Sequence, residues 1–319
     1  MKVLVTGSSG FIGKHLVSKL KEDKGISLIL PSRVGSDFPE ENVSQFIFGP
    51  IDSSTDWAQV LKDTDAVIHL LGIAHNKNLN SKAHSKDLKQ INVEATANLA
   101  SQAVKAGVKR FIFLSSIKVN GEETLNNKPF KAEDSPQPQD LYGKSKLEAE
   151  RVLKEVVEDT NTELVIIRPV LVYGPGVKGN FLSLIKWIKI GIPLPLRTIN
   201  NKRSFVSIKN LVDFIIICLK HPSAANQIFL VCDQPPISSY ELVKNLSYLL
   251  KKRPLLISFP EKILRMILII FRKKDVARKI LSSLEVNIDK NLDILGWKPT
   301  QSTNDALGET AQYFLENEK

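Results

Sequence analysis

Cysteine is nearly absent from this 319-residue chain, which carries only Cys218 and Cys232. Both belong to apolar runs and show no metal-ligand spacing, so they read as reduced core residues of a cytoplasmic protein. Long hydrophobic runs are missing too. The most lipid-like stretch, Ile263–Phe271, is broken by Arg265 and is too short to span a bilayer, which excludes stable membrane insertion. Ile263, Leu264, Ile267, Leu268 and Phe271 fall on one helical face followed by basic residues. Packing inside a small lobe is the favoured reading of that face, and a membrane-surface helix is the other. A secretory signal does not fit, because an apolar strand begins almost at Met1. Of five histidines, His75 and His84 lie in a polar loop without ligand spacing and His69 sits inside a strand, so no metal site is expected. Repeats and low-complexity linkers are absent.

Charge is not concentrated either. The net +10 is scattered, with short clusters only at Lys251-Lys252-Arg253 and Arg272-Lys273-Lys274. These read as solvated helix ends, and no nucleic-acid partner is expected. Hydrophobic content of 43% and charged content of 24% are those of an ordinary globular protein.

What is present is an alternation of strands and helices. Strand-like runs occur at 2–6, 27–30, 45–48, 66–70, 111–114, 164–167 and 228–231, with amphipathic segments at 14–21, 93–106 and 147–158 between them. Such alternation predicts right-handed crossovers and an α/β fold, a Rossmann-type doubly wound parallel sheet. After Gly174 the pattern breaks. A strand-like 203–207 and a helix over 210–220 lead back to the last sheet strand, and the chain from about Pro235 onward is helical. The expected organisation is a dinucleotide-binding domain over 1–173 and 202–234, with a smaller, mainly helical substrate lobe from 174–201 and 235–319.

Two fragments carry chemistry. In Thr6–Gly13, TGSSGFIG follows the first strand. Gly7, Gly10 and Gly13 permit a tight turn, approach of a pyrophosphate and helix–sheet packing, while Ser9, Phe11 and Ile12 place backbone amides at the helix N-terminus. In Tyr142–Lys146, YGKSK sets a phenol and an ammonium on one helical face. A third element, the strand Arg110–Leu114, ends in Ser115-Ser116, where open α/β sheets put ligand contacts. With these three in order, the chain resembles the extended short-chain dehydrogenase/reductase family, also called the NAD-dependent epimerase/dehydratase family, whose members use a Ser/Thr–Tyr–Lys triad. The resemblance extends over essentially the whole length through INVEAT at Ile91–Thr96, SSIKVNGE at Ser115–Glu122, RPVLVYGP at Arg168–Pro175 and RSFVSIKNLVD at Arg203–Asp213. Its finer features are similar to bacterial UDP-sugar 4-epimerases and UDP-4-keto-6-deoxy-sugar reductases.

The second strand ends Leu30-Pro31-Ser32-Arg33 with no carboxylate until Asp37. Ser32 and Arg33 match a 2′-phosphate, which favours NADP(H), with NAD(H) the other option. Pro50 replaces an Asp that the family often places near the adenine, leaving contacts such as Ile51. The turn Leu70-Leu71-Gly72, where relatives usually carry two alanines, is expected beside the cofactor's ribose, and Asn92 matches the family's helix asparagine.

Catalysis is expected from Ser116, Tyr142 and Lys146, which with Tyr142 and Lys146 also touching the cofactor completes the dinucleotide site. Family register selects Ser116, with Ser115 the runner-up. Tyr142 exchanges the proton, and Lys146 together with the positive nicotinamide ring is expected to lower the phenol's pKa. Dehydrating relatives carry an Asp-Glu pair directly after the triad Ser/Thr; here Ile117-Lys118 stands there, which disfavours dehydration. By the resemblance, Asn180 and Arg203 bind a nucleotide sugar, expected to be UDP-linked. The implied activity is C4 keto reduction of a UDP-4-keto-6-deoxyhexose or its amine in surface polysaccharide assembly. The alternative is a 4-epimerase of UDP-hexoses or UDP-N-acetylhexosamines with tightly bound NAD, and a non-catalytic dinucleotide sensor ranks below both. A homodimer is expected, through helices within 93–106 and 147–158.

Overall fold

The computed structural model describes residues 1–32, 42–73, 82–125, 128–271 and 273–317; Arg33, Asp37 and His75 lie outside them. The chain opens with β1 (Lys2–Thr6), α1 (Phe11–Leu20), β2 (Ser27–Ser32), β3 (Val43–Ile47), α2 (Ala58–Leu61) and β4 (Ala66–His69). Next come α3 (Lys82–Leu88), a π-helical turn at Lys89–Glu94, α4 (Ala95–Lys105), β5 (Arg110–Leu114), α5 (Leu141–Val157) and β6 (Glu163–Pro169). Then follow β7 (Leu171–Tyr173), α6 (Gly179–Lys189), β8 (Phe205–Ser207), α7 (Ile208–Lys220) and β9 (Ile228–Val231). The rest is helical: α8 (Ser239–Leu249), α9 (Glu261–Ile270), α10 (Lys274–Leu281), α11 (Asp289–Leu295) and α12 (Thr303–Asn317).

Seven strands form one sheet in the order β3-β2-β1-β4-β5-β6-β9, every neighbouring pair parallel. Strands of such a sheet are covered on both faces, which is why residues 66–68 of β4 and 111–114 of β5 read as apolar runs and both strands are buried throughout. One apolar cluster joins the sheet to α1 and α7 through Leu16, Leu20, Phe214 and Ile215. A second covers the other face through Leu99, Ala103, Ala149 and Leu153 of α4 and α5. The α/β, doubly wound expectation is met. The strand order reverses direction between β1 and β4, and such a switch point opens a crevice at the carboxyl ends of the strands.

A third cluster holds Tyr173, Phe181, Ile185, Leu242, Leu246, Leu307 and Phe314, so α6, α8 and α12 share a core of their own. The α8 N-terminus is fixed by a capping box between Ser238 and Glu241. The segment around α11 joins the sheet's core instead. Leu284, Val286, Leu295 and Trp297 pack in the first cluster, and Trp297 Nε1 donates to Asp213 at 2.8 Å. The three-residue strands β7 and β8 pair in parallel as a separate small sheet. Helix α5 starts at Leu141, ahead of the amphipathic run, because the Asp140 carboxylate accepts from Gly143 N at 2.7 Å and caps it.

Candidate active site

The phosphate-binding turn is built by sterics between β1, α1 and β4. Gly7 has φ +72°, and a Cβ there would sit 2.9 Å from Leu71 N. A Cβ on Gly13 would sit 2.2 Å from Gly7 O, so neither position admits a side chain. Gly10 precedes α1 without a side-chain cap, the first turn of α1 carries no acidic residue, and Ser9 is exposed beside it. The amides at Phe11, Ile12 and Gly13 are thus a cradle for an anion. Phe11 packs against both the sheet and the lobe cores, and His15 Nε2 donates to the Pro175 carbonyl at 3.0 Å, which ties α1 to the turn after β7.

The second wall of the crevice is Leu70-Leu71-Gly72 at the end of β4. A Cβ on Gly72 would lie 3.1 Å from Lys146 Nζ and 3.3 Å from Asn92 Oδ1, so a side chain here would press on both. Asn92, fully buried in the π-helical turn, accepts from Ile73 N at 2.9 Å, while its Nδ2 donates to Ile73 O and Ser145 Oγ, each at 3.0 Å. One side chain therefore clamps the β4 turn to α5. His69 is the structural histidine expected. Its ring nitrogens lie 2.7 Å from Thr6 Oγ1 and 2.9 Å from Thr96 Oγ1, and burial pushes its pKa down to about 3 with help from the Lys146 charge. Among the described residues no cluster of His, Cys, Asp or Glu could hold a metal.

Ser32 ends β2, paired with β3, and half-buried Ile51 packs on the cluster containing Trp57. Asp52 is occupied locally, accepting from Ser54 N at 2.8 Å and Ser54 Oγ at 2.7 Å. Arg33 lies outside the described residues.

Ser116, Tyr142 and Lys146 meet at the carboxyl end of β5. Ser116 hydrogen-bonds the half-buried Tyr142 phenol. Ser115 is committed elsewhere: its hydroxyl donates to Glu150 Oε1 at 2.5 Å. Glu150 in turn accepts from Arg168 Nε and Nη2 at 2.9 and 2.6 Å, and Arg168 Nη1 donates to Asn120 Oδ1 at 2.9 Å, so the runner-up serine belongs to a buried network.

Lys146 Nζ donates to Leu114 O at 2.9 Å, and burial lowers its pKa to about 8 against the opposing Glu150 charge. The expectation for the phenol needs correcting. Tyr142 is pushed up to about 12, first by burial and then by the Asp140 carboxylate, while the Ser116 hydrogen bond opposes both; Lys146 is not among the influences. The ammonium is directed at the β5 carbonyl and the Gly72 turn rather than at the phenol.

Asp140 is the residue that motif reasoning missed. It caps α5, ion-pairs with Lys118 and acts on Tyr142 at once. Burial draws its carboxyl upward, but the bonds from Lys118 and Gly143 outweigh that and hold it below the ordinary range. A signal was present, since an Asp just before a helical run is a standard N-cap. Lys118 also reaches Glu122 at 3.3 Å, so the position that carries a carboxylate in dehydrating relatives here carries the cation of an ion-pair cluster.

Arg203 lies at the lobe, 9% exposed, with its guanidinium donating to the Ser282 carbonyl at 2.9 Å. No carboxylate pairs with it among the described residues, and burial lowers its pKa to about 10. A buried cation without a counter-charge suits an anionic ligand. Asn180 is exposed in the first turn of α6. A cavity of about 660 Å³ between Gln234, Asn287 and Pro299 is lined by none of the triad, so the triad's geometry and not this cavity locates the site.

The NAD dependent epimerase/dehydratase family model matches residues 3–232. The chain belongs to this family. Similarity extends to a UDP-glucose 4-epimerase of Vibrio cholerae, 44% identical over 317 residues that span 98% of this chain and 95% of that protein. An N-acetyl-alpha-D-glucosaminyl-diphospho-ditrans,octacis-undecaprenol 4-epimerase of Escherichia coli O157:H7 is 32% identical over 254 residues, 79% of this chain and 73% of that protein. In fold, the chain matches a UDP-glucuronic acid 4-epimerase from Bacillus cereus solved with NAD, at a TM-score of 0.82 and 22% identity over all of both chains. The chain is an NAD-dependent enzyme of the nucleotide-sugar 4-epimerase type. Two expectations change accordingly. The epimerase alternative gains over C4 keto reduction, and the preference for NADP(H) finds no support.

Proposed function

We propose that this enzyme interconverts C4 epimers of a UDP-hexose, UDP-glucose and UDP-galactose first, with NAD as its resident cofactor. The observation that carries the reading is the 44% identity to a UDP-glucose 4-epimerase over nearly the whole of both chains. The cradle at Ser9–Gly13, whose turn admits no Cβ at Gly7 or Gly13, fits a pyrophosphate. Ser32, Ile51, the Leu70–Gly72 turn, Asn92, Tyr142 and Lys146 complete the dinucleotide side of the crevice. When bound, NAD⁺ supplies the acceptor and then the donor of the C4 hydride. As the phenolate, which the positive charge of bound NAD⁺ would favour against burial and Asp140, Tyr142 Oη would take the proton from the sugar's O4 and return it, while Ser116 holds that oxygen in line and Lys146 steadies the neighbouring ribose. Arg203 neutralises the diphosphate as a buried charge-assisted pair, and Asn180 also contacts the sugar nucleotide. We include in the proposal the two-lobe division at 174, 202 and 235, a cytoplasmic homodimer formed through α4 and α5, and a role in surface polysaccharide assembly.

The test is to incubate the protein, without added cofactor, with UDP-glucose and follow UDP-galactose. Interconversion without net consumption of NADH or NADPH is expected, with NAD⁺ recovered from the denatured protein. Stoichiometric NADPH consumption on a 4-keto sugar nucleotide, with no epimerisation, would return the reductase reading.

A second reading has an observation of its own. A sugar carried on a polyprenyl diphosphate presents the same diphosphate to Arg203, and the relative from E. coli O157:H7 is named for such a substrate. The exposed apolar surface of α9 favours it.

A further inference from the structure

Helix α9 does not behave as its sequence suggested. The apolar residues read as one lobe-facing side are divided between two sides. Leu264 and Leu268 pack on the lobe core, yet none of the helix's ten residues is buried. Ile263, Met266, Ile269 and Ile270 are exposed, and Phe271 directly after the helix is 71% exposed. Most monomeric proteins do not leave a contiguous apolar stripe of this kind in water. The stripe is extended by the strand-like segment leading into α9, where Leu255 and Ile257 are exposed on either side of inward-facing Leu256. Leu255 in turn lies against Gly191, next to Ile190, which is 70% exposed.

The unpaired charges flanking the stripe among the described residues are cations. Lys251, Lys252 and Arg253 precede it, Lys262 lies within α9 and Lys273 follows it, all exposed. None of these five is ion-paired among the described residues, while Glu261, the one acid of α9, is taken by Arg265 at 2.9 Å. An apolar face rimmed by unpaired cations is complementary to a bilayer with anionic headgroups, where the side chains enter the acyl boundary and the cations meet the phosphates. It is poorly matched to a basic protein surface, including a second copy of this +10 chain.

We propose that the α9 face is a docking surface for an anionic membrane, on which the enzyme rests without crossing it. No helix among the described residues is long and apolar enough to span a bilayer. The placement relative to the site is specific. Arg265, on α9, donates to Ser282 Oγ at 3.3 Å, and the carbonyl of the same Ser282 accepts from Arg203. Docking therefore sets the Arg203 end of the crevice at the bilayer surface. The docking itself does not rest on which diphosphate sugar the enzyme turns over.

The test uses the full chain and vesicle flotation. Phosphatidylcholine vesicles containing phosphatidylglycerol should carry the protein upward, phosphatidylcholine alone should carry little, and high salt should release it. Ile270→Glu with Phe271→Glu should reduce recovery about tenfold or more while leaving the melting temperature and epimerisation of soluble UDP-sugar unchanged. Lys252→Glu with Arg253→Glu should act in the same direction, and provides a second reading should the first pair fold poorly. No flotation with the anionic vesicles, or flotation unaffected by both pairs, overturns the proposal. So does sedimentation showing that the first pair dissolves a self-association while vesicle binding is absent, which would make the face a contact between copies.

Discussion

Ser115 and Ser116 differ only in which neighbour each one finds. The type of residue could not separate them, because the distinction lies in a carboxylate 35 positions away: Glu150 captures Ser115, and Ser116 is left to Tyr142. Tyr142 and Lys146 were legible as a helical i, i+4 pair, but their electrostatics were not, since burial and Asp140 act through space. Replacing Tyr142 with Phe should reduce turnover by about a hundredfold or more, measured as epimerisation rate, with bound NAD retained. Lys146→Met should raise the cofactor-free protein's stability at pH 7. The ammonium's pKa falls from 10.5 to about 8 on folding, so between those values the unfolded chain holds more protons, and wild-type stability climbs with pH. The variant's advantage in denaturant titrations should therefore shrink as pH rises from about 8 toward 10.5; a constant gap would show that the buried charge is not its origin.

At the scale of elements, α5 carries two tasks. Its N-terminus is capped by Asp140, whose negative charge also holds the neighbouring phenol protonated. Asp140→Asn keeps a capping side chain but removes the charge, so the Tyr142 titration seen by ultraviolet difference spectra should move down from about 12. One turn beyond Lys146, Glu150 is joined to Arg168 of β6, both 2% exposed. Arg168→Met should cost roughly 3–5 kcal/mol in urea unfolding by stranding Glu150, and adding Glu150→Met should recover much of that loss. Nothing in local sequence announced this pair. By contrast β1, β4, β5 and β9 were legible because a sheet covered on both faces demands short apolar runs. The strands β7 and β8 were not found as a sheet, since three residues each give no periodicity to read.

For the whole molecule, the parallel, doubly wound character of the sheet followed from alternation, whereas its strand order and the assembly of the lobe did not. Residues 284–297 reach back to the sheet's core through Trp297, and α9 turns its most apolar residues outward, both decided by tertiary contacts rather than pattern. The preference for NADP(H) is left without support for a related reason, as a lone Ser32-Arg33 ending does not fix what binds beyond it. On the proposed function, one site removes the C4 hydrogen of a UDP-hexose and returns it to the opposite face of the same carbon. This is tested most directly with UDP-glucose deuterated at C4 in ordinary water, reading the UDP-galactose product by mass spectrometry. Retention of deuterium at C4 is the predicted result; replacement of that deuterium by solvent hydrogen would contradict the account.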